Sequence, residues 1–300
     1  MGRKFWRGLF LGLGALAILL FPKAARAAIE NGLNLCRTGV IPSLFLFLCA
    51  GALSRRLYLT DGIERRLGFL FRALGIPGAA AGAFVMGNFC GYPVGALELC
   101  AQVRQGRLSR QSGERLLEAV CAPSPAFLCA RIGEGLFGKA QAGLLLWGIC
   151  LVCHYALYRL GKKRPEDTAR VPERPSPPFL PALGEAVGDG AATLLRICAQ
   201  VLFYSSLVAL LPLWALPDWA RALVGGFFEM TTGLSALSAP TALSFAAAAF
   251  LAELGGLCVL SQILPEAQAA GLSIGKFCLR RMVSALLSGM IAFLLFPLLG

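Results

Sequence analysis

Apolar residues gather along this chain in long runs separated by short basic segments. Runs near 5–22, 39–57, 116–138, 141–159, 192–214, 242–264 and 278–299 approach or reach the length of a membrane-crossing helix, about 20 residues. Two further apolar stretches, 75–101 and 222–240, are broken by glycine, proline and polar residues. The first carries Gly87-Asn88-Phe89-Cys90-Gly91-Tyr92-Pro93-Val94-Gly95 and the second Glu229-Met230-Thr231-Thr232-Gly233. Broken backbone at membrane depth persists only where protein or water satisfies it, so both stretches read as re-entrant broken hairpins. From Lys162 to about Pro181 the chain is polar, holds six prolines and shows no apolar period, as a linker does. The pattern predicts an all-α polytopic membrane protein of about seven spans plus two hairpins. Its parts are an N-terminal membrane helix (1–23), a first unit (24–161), the linker (162–181) and a second unit (182–300).

The two units echo each other in order. Leu35-Cys36-Arg37 before Ile41-Pro42-Ser43 matches Leu194-Leu195-Arg196 before Val201-Leu202-Phe203, and a broken stretch follows in each. Ala126-Phe127-Leu128 with Gly133 then matches Ala249-Phe250-Leu251 with Gly256. Charge fixes an orientation. With the N-terminus in the cytoplasm and both hairpins re-entrant, 22 of the 28 lysines and arginines fall inside and five outside, with Arg131 left in a span. That bias is the positive-inside rule. The first unit then starts from outside and the second from inside, which makes them inverted-topology repeats, as in many secondary transporters.

Composition agrees: 57% of residues are hydrophobic, 15% are charged, and the mean hydropathy is +0.70. A soluble domain carries about 25% charged residues, so the partner implied is the lipid bilayer. The net charge of +12 does not imply nucleic acid, because the basic residues flank apolar runs rather than forming one stripe. The eleven cysteines, odd in number and irregular in spacing, read as small hydrophobes. Arg3, Lys4 and Arg7 before the run 8–21, followed by Ala25-Arg26-Ala27, fit a cleavable signal peptide or a retained first helix. Retention is the reading adopted, since the rest of the chain is itself a membrane domain.

Nothing points to an enzyme or a cofactor. There is no P-loop, nucleophile elbow or histidine cluster. Cys150-Leu151-Val152-Cys153-His154 matches the haem-attachment pattern but lies in an apolar run, so His154 reads as a packing residue. The lone histidine also argues against a metal site.

Chemistry is left to the interrupted segments. Gly91, Pro93 and Gly95 free backbone groups, and a half-helix N-terminus there presents its positive end to an anion; the plainer alternative is a packing kink. Asn88 and Tyr92 accompany them. Glu229, Thr231, Thr232 and Gly233 form the counterpart in the second unit. Ser124 and Pro125, within Pro123-Ser124-Pro125, open a span with exposed backbone. Arg131 lies inside a predicted span, where it needs a partner; Glu134, three residues on, is one candidate. Glu253 sits at nearly the equivalent place in the second unit and suits proton coupling.

Ile41-Pro42-Ser43-Leu44-Phe45, Gly91-Tyr92-Pro93-Val94-Gly95-Ala96 and Pro123-Ser124-Pro125-Ala126-Phe127 resemble the YlbJ-type sporulation integral membrane protein family. Glu229-Met230-Thr231-Thr232-Gly233 and Gly255-Gly256 with Gln262 are similar to it as well. The resemblance runs from about residue 24 to the end. It implies nucleoside-recognition gate domains and a stage V sporulation role in the outer forespore membrane. There, dipicolinic acid, a small anion, moves toward the spore by passive or ion-coupled alternating access. The family pattern departs at Leu97-Glu98, where a lysine often follows, and at Cys121-Ala122, where an asparagine pair often stands. Two rival readings stand beside it: a structural or morphogenetic membrane protein that recruits partners, and a transporter for nucleosides or another solute. A second copy of the chain or other sporulation membrane proteins are the candidate protein partners.

Overall fold

A computed structural model describes residues 19–160, 176–211, 216–237 and 239–299. Among them the chain is helical throughout, with no strand. Five helices are long and apolar enough to cross a membrane: Pro22–Arg56, Ala140–Leu160, Phe179–Ala209, Ala242–Ala269 and Ile274–Leu299.

The first, α1 (Pro22–Arg56), is opened by a proline whose missing N–H costs nothing at a helix start, and a π-helical turn interrupts it at Cys36–Val40. It packs antiparallel on α8 (Phe179–Ala209): a Cβ on Gly32 would meet Ser205 Oγ, while Arg56 at the other end pairs with Glu185 and, at 2.7 Å, with Asp189. Between them in sequence come α2 (Leu59–Ala73), an amphipathic helix, and a hairpin of α3 (Ala81–Cys90) and α4 (Val94–Arg104). Leu59–Ala73 and Gly78–Cys90 meet at 117°. At about 1.5 Å per residue, the ten and eleven residues of α3 and α4 reach about halfway through a bilayer core of about 30 Å. Then follow α5 (Arg110–Leu116), non-helical turns, α6 (125–137) with a π-helical stretch at Leu128–Glu134, and α7 (Ala140–Leu160). After α8 comes a second hairpin, α9 (Asp218–Phe228) and α10 (Met230–Ser235). A helix interrupted at Gly255, α11 (Ala242–Leu254) and α12 (Gly256–Ala269), leads to α13 (Ile274–Leu295).

The structure corrects the expected span at 116–138. Pro123 and Pro125 lack backbone donors, and residues preceding prolines are pushed out of the helical region. The chain is therefore non-helical from 117 to 124, and α6 is about 20 Å long, too short to cross. The linker also ends sooner than Pro181, since α8 begins at Phe179 with Pro181 in its first turn. Residues 5–18 of the first run and most of the linker lie outside the described residues, as does the end of 192–214.

Polar contacts sort to two ends. One end joins α2, α4, α5, α7, α12 and α13 through six contacts: Arg107 with Asp61 (2.7 Å) and Glu64, Arg104 with Glu266 (2.6 Å), Lys276 with Glu114 (2.7 Å), Arg115 with the Tyr158 carbonyl (3.3 Å), and Tyr158 with the Gly75 carbonyl. The other joins Lys139 to the Leu299 carbonyl (2.6 Å) and Arg131 to Ser235. Helix α7 runs from Lys139 to Tyr158, from one group to the other.

Candidate functional site

The two hairpin tips meet. Gly91, with a positive φ of 82°, turns the first tip so that the Tyr92 N–H donates to the Ala122 carbonyl at 2.9 Å, in the non-helical break before α6. The Tyr92 hydroxyl crosses to the second half, donating to Met230 Sδ at 2.8 Å and standing 3.3 Å from the Ala252 carbonyl. Ser124 caps α6 through the Phe127 N–H at 3.2 Å, satisfying one orphan donor of the helix start.

The second tip caps itself. Glu229 accepts from the N–H groups of Thr231 (2.9 Å) and Thr232 (2.6 Å) and from both threonine hydroxyls. Its carboxylate thus caps the start of α10, whereas the helix N-terminus that the sequence offered to an anion is that of the first tip, at Gly91 to Gly95.

Between the tips lies a cavity of about 40 Å³ lined by Tyr92, Ser124, Glu229, Thr231 and Gln262 among others. At 10–15 Å³ per water on this measure, that is room for roughly three waters. The remaining wall is apolar, including Val40, Ile197, Val201 and Cys258. Five sequence-predicted residues therefore converge on one cavity, and Glu229 is the one charged side chain lining it.

The other predicted residues stand apart from it. Asn88 is buried and donates to the carbonyls of Phe84 (2.8 Å) and Ala119 (3.0 Å), tying α3 to the turns after α5. Gly91 and Pro93 shape the tip, Gly95 and Gly233 allow close backbone crossing, Pro125 starts α6, and Thr232 holds Glu229. Arg131 is half-exposed and does not line the cavity: four residues beyond the cavity-lining Phe127, it donates to Ser235 Oγ rather than pairing with Glu134, which is exposed. Glu253 is fully buried but behind Tyr92, not on the cavity wall.

There it belongs to a cluster that sequence reasoning missed. Glu118, His154, Glu253 and Arg281 are each at most 5% exposed. His154 Nε2 bonds Glu253 Oε1 and stands 3.7 Å from Glu118 Oε1. Ser284 donates to the same Glu253 oxygen at 2.9 Å. Arg281 reaches the carbonyls of Cys121 and, at 3.2 Å, Leu254, and lies 3.7 Å from Glu118 Oε1. Those carbonyls belong to the breaks after α5 and after α11, so one guanidinium serves both discontinuities. Its carbon is 5.4 Å from the centre of the Tyr92 ring, within cation–π range. The haem-like cysteines flank His154 as free, buried thiols. Glu118, His154 and Glu253 present donor atoms within 4.8 Å of one another, close enough to meet a metal. The fixed positive charge of Arg281 beside Glu118 opposes a divalent cation there.

A signal for this cluster was present: Arg281, Ser284 and Ser288 recur at i, i+3 and i+7, a polar stripe that continues into the apolar part of the helix. All three are buried.

Comparison of the chain with protein-family models, with curated proteins and with solved structures finds no match.

Proposed function

We propose that this chain is a membrane transporter for a small polar solute, working by alternating access, with the solute held between the two hairpin tips. The observation that carries the reading is the convergence of Tyr92, Ser124, Glu229, Thr231 and Gln262 on one cavity from separate interrupted segments.

Repeat architecture supports it. Each half supplies a long helix (α1, α8), a hairpin (α3–α4, α9–α10), an interrupted helix (α5–α6, α11–α12) and a closing helix (α7, α13). Each hairpin also crosses itself through paired glycines. A Cβ on Gly95 would lie 2.3 Å from Gly87 Cα, and one on Gly233 2.4 Å from Gly226 Cα. The first hairpin returns to the end bearing Arg104 and Arg107, the second to the end bearing Ser235 and Arg131. Entry from opposite faces is what inverted repeats require. Helix α7, at 21 residues and about 30 Å, matches the hydrocarbon thickness that separates those faces. The more basic end then faces the cytoplasm.

The cavity in this state has room for roughly three waters, so a solute enters only as a tip moves. Its lining holds a carboxylate and hydroxyls but no cation, which favours a neutral, hydroxylated solute such as a nucleoside. The second reading, dipicolinate in a sporulation membrane, keeps one specific support: Arg281 lies directly behind Tyr92 and would meet an anion if that ring swung aside.

The test is uptake of radiolabelled uridine and, separately, dipicolinate into proteoliposomes holding only this protein. Saturable uptake of either, lost in Tyr92→Ala with the protein still folded, is the expected result. Neither probe moving, with the protein correctly inserted, would overturn the transport reading for both classes and favour a morphogenetic role.

A further inference from the structure

The cluster behind Tyr92 counts to an unbalanced charge. Glu118 and Glu253 contribute two negative charges and Arg281 one positive, so with His154 neutral the group carries a net charge of −1. A buried net charge is costly, and one added proton removes it. A divalent cation would leave the group at +1 instead. The environment of Glu118 marks where the imbalance falls. Its side chain is 3% exposed, and among the described residues neither of its oxygens has a hydrogen-bond partner. Glu253 is held by His154 and Ser284 through Oε1, while its Oε2 also has no hydrogen-bond partner among the described residues. The groups within electrostatic reach of Glu118 come from every neighbouring element. They are His154 from α7, Glu253 from α11, Arg281 and Cys278 from α13, and Cys121 from its own segment, while Cys150 of α7 and Tyr92 of the first hairpin lie within reach of Glu253 and Arg281.

The cluster is mechanically joined to the solute cavity. Arg281 touches Glu118, the two break carbonyls and the Tyr92 ring. Tyr92 in turn lines the cavity and bonds Met230 at the opposite tip. Losing the proton leaves Glu118 to pull harder on Arg281, and any shift of Arg281 is felt at both breaks and at the ring that closes the cavity.

Resting on the transporter reading, we propose that Glu118, His154, Glu253 and Arg281 together hold one exchangeable proton, which is the coupling ion moved with the solute. The proton is shared: it enters on the Glu118 carboxylate or on His154 Nδ1, and leaves from the same pair, with no bond made or broken beyond O–H and N–H. Glu118 is a positioning residue for Arg281 and does not touch the solute.

Two measurements on the full chain test this. In proteoliposomes loaded with a pH-sensitive dye, uridine or dipicolinate is added without a pH gradient. The wild type is expected to acidify the lumen in proportion to solute entry. Glu118→Gln, which keeps shape and makes the cluster formally neutral, is expected to admit solute with no proton accompanying it. Equal protons per solute in the variant and the wild type would overturn the proposal. Independently of any transport, infrared difference spectra of purified protein between mildly acidic and mildly alkaline buffer are expected to show a buried carboxyl or imidazole signal that Glu118→Gln abolishes. An unchanged spectrum in the variant refutes the proton site even if solute moves, whereas a signal without solute movement faults the transport reading instead.

Discussion

Replacing Arg281 with glutamine separates charge from hydrogen bonding in the cluster. The guanidinium is 5% exposed, serves two break carbonyls and is the nearest cation to Glu118 at 3.7 Å. Removing one partner of a buried ionic group costs about 3–5 kcal/mol, because the other charge is left uncompensated. The carbonyls of Cys121 and Leu254, if left unsatisfied, cost about 1–3 kcal/mol each, and a glutamine amide recovers part of this. Arg281→Gln should therefore lose at least about 3 kcal/mol. In a Glu118→Gln background the part of the charge penalty owed to Glu118 is already gone, while the parts owed to Glu253 and to the carbonyls, about 1–3 kcal/mol for the latter, remain. The two losses are thus expected to fall short of additivity by about 2 kcal/mol, within the range of directly contacting residues. Reversible unfolding of the four proteins in mixed micelles, by titration with a denaturing detergent, measures the cycle. Additivity to within about 0.5 kcal/mol would refute the claim that Arg281 and Glu118 compensate each other.

Four further outcomes are expected. Gly95→Ala places a Cβ 2.1 Å from the Val120 carbonyl oxygen and 2.3 Å from Gly87 Cα. Both neighbours are backbone, so the change should destabilise by about 1–3 kcal/mol in thermal unfolding and block uptake. Gly148→Ala on α7, where nothing lies within 4 Å, should be neutral or gain up to about 1 kcal/mol from helix propensity; equal losses at the two sites would discredit the packing argument. Tyr92→Phe, losing the hydroxyl bonds to Met230 and Ala252, should cost about 0.5–1.5 kcal/mol and accelerate solute leak across the closed state, read as faster efflux from loaded vesicles. Arg131→Ala should leave uptake unchanged, since its contact is a half-exposed bond to Ser235; loss of uptake would return Arg131 to the site.

The helices and hairpins were legible because lipid imposes length and because Gly91, Pro93 and Glu229 interrupt apolar runs with residues a lipid-facing helix does not carry. The residues that line the cavity were legible for the same reason, since Tyr92, Ser124, Glu229, Thr231 and Gln262 lie at or beside such interruptions. The short helix at 125–137 was missed because an apolar run reads as a span until the two prolines at 123 and 125 are weighed as a stop. The ionic cluster was hidden in another way. Arg281 follows Arg280 and looks like part of the basic belt, Glu118 follows a polar helix, and His154 sits inside a decoy. Their meaning comes only from contact between positions up to 163 residues apart (118 to 281), which no local spacing reports.

Glu229 binds the two N–H groups and two hydroxyls that follow it, so the second tip carries its own coordination sphere. In the alternating access proposed for this chain, a tip built this way takes its dressing along when it travels. Its polar atoms stay matched whether it faces protein, water or solute, and its excursions do not wait for outside partners to be found.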